Sequence, residues 1–414
     1  MESENTAVTV FEKWKIKRYL LLAWGVVMMM FISISYAWSV FNAPIAKEFS
    51  GVGQATLQFT FTVFMVSYGI FGIVGGYLVG LFKSVKINLF ISAVLIFLSF
   101  MISSLATEVW HFYIGFGLLG GAGVVFAYNA VVVSFTKWFS DRLGVVTGVL
   151  MMGYGLGSFI IGFIYSTLLE NGIAWRTSFL AFGIAIAVVI VIGAFFIGFP
   201  PEGYEPPQRP AKFEKRAWKT TEYTPLQMLR RPSFWCLYAM GMGIVMARMG
   251  VISNARNLVS AVNPTALTSE IAIVVGVMSI SDACGRVFTG FLNDVAGTEK
   301  NIRVSAACVF LSALLVALAV TFKSYPFLII SFVCLGFSAG MSTPDAAVVT
   351  RKLYGEKHYQ VNFQIVMSGS IFHGFIATLV GGLYDVSGGY VLPMFVLAGL
   401  GLLGFIFSCL IKKP

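Results

Sequence analysis

Charge is scarce in this chain. Only 11% of its 414 residues are Asp, Glu, Lys or Arg, where a soluble domain carries about 25%. So thin a supply cannot coat a water-soluble protein of this size, which excludes an ordinary soluble globular domain. Cysteine is sparse as well. Cys236, Cys284, Cys308, Cys334 and Cys409 are scattered in or at the ends of apolar runs. No pair has metal-ligand spacing, so the pattern argues against a disulfide framework and for buried structural thiols. There is also no Walker loop, no dinucleotide fingerprint after a strand, no metal motif and no nucleophile elbow. These absences exclude ATP hydrolysis within the chain and point away from an enzyme, a cofactor or a bound metal.

What fills the sequence instead is hydrocarbon. Hydrophobic residues make up 58%, and the mean hydropathy is +0.85. Apolar runs long enough to cross a bilayer occur near 18–42, 55–80, 86–104, 109–133, 143–168 and 175–199. A second series lies near 232–256, 269–293, 301–322, 325–350, 361–385 and 388–411. A chain in lipid must satisfy its own backbone hydrogen bonds, so these twelve runs are expected to be helices. A β-barrel would need alternating segments of about ten residues, which are absent. The first seventeen residues are polar and mixed in charge, and the apolar run that follows is too long for a signal-peptide core and lacks a cleavage pattern, so it reads as a first span.

The net charge of +10 reads as topology, not as a nucleic-acid signal. Basic residues gather at the N-terminus (Lys13, Lys15, Lys17, Arg18), in the even-numbered loops and in a central loop with Arg209, Lys212, Lys215, Arg216, Lys219, Arg230 and Arg231. The opposite side has only Lys47, Arg176, Arg256 and Lys323. This asymmetry places both termini in the cytoplasm. The central stretch, rich in proline (Pro200, Pro201, Pro206, Pro207, Pro210), divides the chain into a six-helix bundle over 1–199, a cytoplasmic linker over 200–231 and a second six-helix bundle over 232–414. The halves echo each other: Gly76-Tyr77-Leu78-Val79-Gly80 ends span 2, and Gly290-Phe291-Leu292-Asn293-Asp294 ends span 8. Small residues such as Gly148, Gly153, Gly155 and Gly157 in span 5 allow close helix contact.

An ionisable side chain at mid-membrane costs about 2.5–3.5 kcal/mol or more, so each one within a span needs a reason. Arg248 lies in span 7, Asp282 and Arg286 in span 8, and His373 in span 11. Asp282 and Arg286 are four apart and share a helix face. They either neutralise one another or form a site, with Arg286 binding a carboxylate and Asp282 taking up a proton. His373 is either a packing residue or a titratable second contact. Arg248 reads as snorkelling toward the interface. Tyr36, Tyr128, Asn129, Tyr154 and Asn254 are polar tips within spans, either lining a pocket or joining helices.

These residues resemble the monocarboxylate transporter family and its bacterial relative, the oxalate:formate antiporter, within the major facilitator superfamily. The likeness covers nearly the whole chain. It is carried by Ser35-Tyr36-Ala37-Trp38 with Pro44, and by Tyr128 followed by Trp138-Phe139, Arg142, Gly148 and Gly153-Tyr154-Gly155. Span 8 adds Asp282-Ala283-Cys284-Gly285-Arg286 with Gly290 and Asp294, and span 11 adds His373 ahead of Gly382-Leu383. The resemblance implies an all-α membrane protein with twelve helices in the major facilitator fold. It further implies a transporter with Arg286 and Asp282 central to substrate and proton handling, and His373 where the oxalate antiporter has a substrate-binding lysine. Gly80 stands where the superfamily's loop motif has aspartate, so only Asp294 keeps that gating position.

A fixed second cation would fit a dicarboxylate, whereas His373 is only conditionally charged; together with the presence of Asp282, this favours a monocarboxylate over oxalate. The reading that results is a proton-coupled symporter of lactate- or pyruvate-like anions working by alternating access near the membrane midplane. Arg286, Tyr36, Tyr128, Asn129, Tyr154, Asn254 and His373 are its substrate contacts, and Asp282 and His373 carry the proton. An anion exchanger of the oxalate:formate type is the alternative, and a non-transporting carboxylate sensor a third. The expected setting is the inner membrane of a bacterium, as a multi-pass monomer whose partners are the bilayer, a small carboxylate and protons.

Overall fold

A computed structural model describes residues 14–52, 54–204, 221–266 and 268–411. Lys13, Arg209, Lys212, Lys215, Arg216, Lys219, Lys412 and Lys413 lie outside the described residues, as do the side chains of Tyr36, Arg256 and Asp294. Among the described residues every regular element is a helix, as a chain that must bond its own backbone in lipid requires. The chain divides into two compact units, Met1–Lys219 and Thr220–Pro414.

The first unit holds α1 (Lys17–Phe31), α2 (Ile34–Glu48), α3 (Gln54–Phe82), α4 (Lys86–Ser104), α5 (Val109–Trp138), α6 (Leu143–Glu170) and α7 (Trp175–Phe196). The second holds α8 (Pro225–Leu229), α9 (Pro232–Val262), α10 (Thr268–Val295), α11 (Thr298–Thr321), α12 (Tyr325–Tyr354), α13 (Tyr359–Met367), α14 (Ser370–His373), α15 (Ile376–Ser387) and α16 (Val391–Leu410). Among the described residues, nine helices are each long and apolar enough to cross a membrane: α3 to α7, α9, α11, α12 and α16. The broken pair α1–α2, the charge-bearing α10 and the broken run α13–α15 make up the other three of twelve spans.

The two breaks depart from the continuous helices that hydropathy suggests. In the first span the Ser33 hydroxyl donates to the Met30 carbonyl at 2.8 Å, and the helix restarts at Ile34 and runs through Pro44 to Glu48. A serine that bonds local backbone competes with the helical ladder. In the eleventh span, Ile371, Phe372 and Phe375 donate to carbonyls three residues back, on Ser368, Gly369 and Phe372. Such tighter turns mark where an α-helix is interrupted. His373 sits in that tightened stretch.

α5 also deviates, with wider π-type turns over Tyr113–Gly120. The Ser67 hydroxyl of α3 donates to the Leu118 carbonyl there at 2.6 Å. Glycine permits this approach: a Cβ at Gly121 would strike the Phe64 carbonyl of α3.

Both units use the same pairing scheme. α3 packs on α5 and α4 on α7 in the first; α10 packs on α12 and α11 on α16 in the second. Each also has a buried asparagine at the start of its third span. Asn88 donates to the Gly75 carbonyl at 2.9 Å, and Asn301 donates to the Thr289 hydroxyl at 2.6 Å. The acceptors lie one residue before Gly76 and Gly290, where the two sequence echoes begin.

Candidate functional site

The second unit concentrates its intramembrane charges around one carboxylate. Glycines set the stage, because α10 and α12 touch almost backbone to backbone. A Cβ at Gly340 would collide with the Asp282 carbonyl, and one at Gly285 with the Phe337 carbonyl. With no side chain between them, the two helices pack closely over the stretch of α10 that carries Asp282 and Arg286.

Arg286 Nε donates to Asp282 Oδ2 at 2.9 Å, and Arg286 Nη2 lies 2.6 Å from the same oxygen. The other oxygen, Oδ1, lies 3.5 Å from Arg248 Nη1 on α9. Arg248 Nη1 also donates to the Ala339 carbonyl of α12 at 3.5 Å. The Arg286 and Arg248 side chains are 2% and 6% exposed, against 16% for Asp282. Asp282 is thus the most exposed side chain of the three, although its Oδ1 is itself buried. Arg248 does not snorkel, contrary to what its position in the sequence suggests. It is drawn inward because a buried guanidinium is tolerated where a carboxylate pairs with its charge and a carbonyl accepts a hydrogen bond from it.

His373 belongs to the same unit and lies within electrostatic range of Arg248. Asn254 turns to its own helix, donating to the Gly250 carbonyl at 3.0 Å and the Ser253 hydroxyl at 3.1 Å. α12 carries a further acid, Asp345, whose side chain is outside the described residues. Asp294 ends α10, likewise with an undescribed side chain.

In the first unit the structure brings Tyr128 and Tyr154 together, with ring centroids 5.7 Å apart. Tyr154 shares a hydrogen bond with Ser35 at 3.0 Å, and the Tyr128 hydroxyl donates to Met151 Sδ at 3.2 Å. Tyr68, to which sequence reasoning assigns no role, stacks edgewise on Tyr128 at 6.1 Å. An aromatic side chain in an apolar helix gives no signal beyond packing. Asn129 is fully buried, and among the described residues neither end of its amide has a hydrogen-bond partner.

Two further charged clusters lie at helix ends of this unit. Buried Arg18 donates to both Asp141 oxygens, at 3.1 and 3.3 Å, and to the Tyr204 hydroxyl at 3.3 Å. Arg176 binds Glu48 at 2.5 Å and caps the end of α4 through the Ser104 and Ala106 carbonyls. Hydrogen bonds from Arg176 and Trp175 hold the Glu48 carboxyl below its ordinary range. Among the described residues no group of three His, Cys, Asp or Glu side chains could hold a metal ion.

A two-unit helical membrane protein with a buried arginine–carboxylate cluster is the architecture of a secondary transporter. The chain belongs to the Major Facilitator Superfamily, whose model matches residues 23–344 and 250–414. It is 25% identical to an uncharacterised MFS-type transporter of Escherichia coli, YhjX, over 85% of this chain and 84% of that one. It is 25% identical to the oxalate:formate antiporter of Oxalobacter formigenes, over 86% and 83%. It is 26% identical to monocarboxylate transporter 13 of Bos taurus, over 77% and 74%. Its fold matches the crystal structure of the Escherichia coli fucose:proton symporter FucP with a TM-score of 0.67, 16% identity, and coverage of 95% of this chain and 99% of that one.

Proposed function

We propose that this transporter carries small monocarboxylates of the lactate or pyruvate kind together with a proton. The observation that carries the reading is the Asp282 carboxylate held by Arg286 and Arg248. A carboxylate is already the ligand of these guanidiniums, so a substrate carboxylate matches them in charge and geometry. Protonating Asp282 would weaken two ion pairs at once and open both arginines to the incoming anion. Substrate and proton would then enter as a neutral pair, which suits movement through a low-dielectric interior.

The relatives named for monocarboxylates and for oxalate and formate support an anionic substrate. His373 and the tyrosines Tyr36, Tyr128 and Tyr154 are proposed as further contacts, together with Asn129 and Asn254. Asp294 is the proposed gating residue, and the expected setting is a bacterial inner membrane with both termini in the cytoplasm. Uptake of labelled lactate, pyruvate and oxalate into proteoliposomes, with and without an inward proton gradient, tests this. Lactate or pyruvate accumulation that collapses with the gradient supports symport. Oxalate uptake that ignores the gradient and needs internal anion makes the protein an exchanger and overturns the proposal.

A further inference from the structure

Arg248 precedes Asp282 in sequence and lies on another helix, yet it pairs with that carboxylate. Both contacts that Arg286 makes with Asp282 here fall on Oδ2, and Oδ1 faces Arg248 at 3.5 Å. The two guanidiniums therefore stand on opposite oxygens of one carboxylate, spaced by the width of that group. Arg248 also donates to the Ala339 carbonyl, and its side chain is only 6% exposed, so it sits buried beside the carboxylate.

We propose that Arg248 is a substrate-binding, specificity-determining residue: it and Arg286 form a two-arginine clamp for a single carboxylate, which Asp282 fills as an internal surrogate until substrate replaces it. The inference rests on the carboxylate-transport reading above and assigns the second oxygen of the substrate. Its chemical consequence concerns selection. With both arginines committed to one carboxylate, the rest of the substrate meets no second fixed cation among the described residues of the triad, and a monoanion fits better than a dianion. An ester or amide of the same acid lacks the two equivalent anionic oxygens and should be excluded.

The discriminating experiment uses the full-length protein in proteoliposomes. Labelled pyruvate counterflow is measured for wild type, Arg248→Gln and Arg248→Lys, with circular dichroism and gel filtration confirming that each variant is folded. The clamp predicts a KM at least ten-fold higher for Arg248→Gln with a smaller change in kcat. Lysine offers one point charge where two parallel donors stood, so Arg248→Lys should recover only part of that loss. It also predicts that oxalate, weak against wild type, competes no better in Arg248→Gln. An unchanged KM in a folded Arg248→Gln overturns the clamp while leaving carboxylate transport standing. A dianion preferred by wild type and lost in Arg248→Gln also overturns it, because Arg248 would then serve a second carboxylate. Wild type that moves no carboxylate at all sinks the underlying reading instead. Should Arg248→Gln fail to fold, chemical-shift or infrared titration of carboxylate binding to Arg248→Lys gives the same decision through affinity.

Discussion

Arg286 places two nitrogens on the same oxygen of Asp282, Nε at 2.9 Å and Nη2 at 2.6 Å. An i,i+4 pair this tight fixes the carboxylate on its own helix face. Replacing Arg286 with glutamine removes the charge and most of the donor geometry. A hydrogen bond to a charged group contributes about 1.5–3 kcal/mol, so initial uptake of pyruvate should fall roughly ten- to hundred-fold. Full uptake by a folded Arg286→Gln would remove the basis of the proposed function.

Asp282→Asn keeps the size of the side chain but cannot exchange a proton near neutral pH. Gradient-driven accumulation should be lost in this variant, whereas exchange of labelled for unlabelled pyruvate persists and becomes insensitive to pH. Measuring both in one vesicle preparation separates proton coupling from binding. If accumulation survives in Asp282→Asn, the proton is carried elsewhere, and His373 becomes the residue to test.

The parts of this architecture that are legible in the sequence are those governed by local periodicity. Long apolar runs announce the helices because lipid forces the backbone to bond itself, and the spacing of Asp282 and Arg286 announces their pairing because it follows from the 3.6-residue turn. What cannot be read there involves partners far apart in sequence or competition at single residues. Arg248 looks like a snorkelling side chain because nothing near it on α9 is acidic; its carboxylate comes from α10. The restart at Ser33 and the tightened turns around His373 depend on hydroxyl and glycine choices that hydropathy averages away. Tyr128 and Tyr154 can be named from sequence, but their mutual contact and the addition of Tyr68 need three helices in space.

The Arg18–Asp141 pair is a stability element of the first unit. Both side chains are more than nine-tenths buried, and losing one partner of a buried pair costs up to about 3–5 kcal/mol, reduced here by the Tyr204 hydroxyl that also accepts a hydrogen bond from Arg18. Asp141→Asn should lower the melting temperature in detergent, and Arg18→Met combined with Asp141→Leu should recover much of the loss. Thermal unfolding followed by tryptophan fluorescence makes the comparison. Equal melting for wild type and Asp141→Asn would show that Arg18 draws its support from other groups.

Glu48 gives a pH signature. Its carboxyl is held below the ordinary value of 4.5, first by the hydrogen bond from Arg176 and then by that from Trp175. A depressed folded-state value means that this stabilisation is fully present above 4.5 and is lost as pH falls through the folded-state value. The site is half-exposed, so the effect is small and screened by salt. Wild type should therefore lose slightly more thermal stability than Glu48→Gln when pH is lowered from about 6 to about 3. Parallel curves for the two proteins over that range would show that the Glu48 contacts contribute no proton-linked stability.

Helix spacing at the site can be probed without touching a charge. Gly340 has no room for a Cβ, since the nearest atoms are the Asp282 carbonyl and the Arg286 backbone nitrogen. Alanine there must push α12 away from α10, and overpacking of this kind costs about 1–3 kcal/mol. The same displacement moves the Ala339 carbonyl that receives Arg248, so the variant should bind substrate worse as well as melt lower. Gly80 is the control. It lies in α3, where a Cβ would meet nothing within 4 Å, and alanine in a helix gains up to about 1 kcal/mol over glycine. Gly80→Ala should match or exceed wild type in melting temperature with an unchanged pyruvate KM, while Gly340→Ala falls in melting and rises in KM. Gly340→Ala with an unaltered KM would mean that the close approach of α10 and α12 serves packing alone and that the arginines hold their positions independently of it.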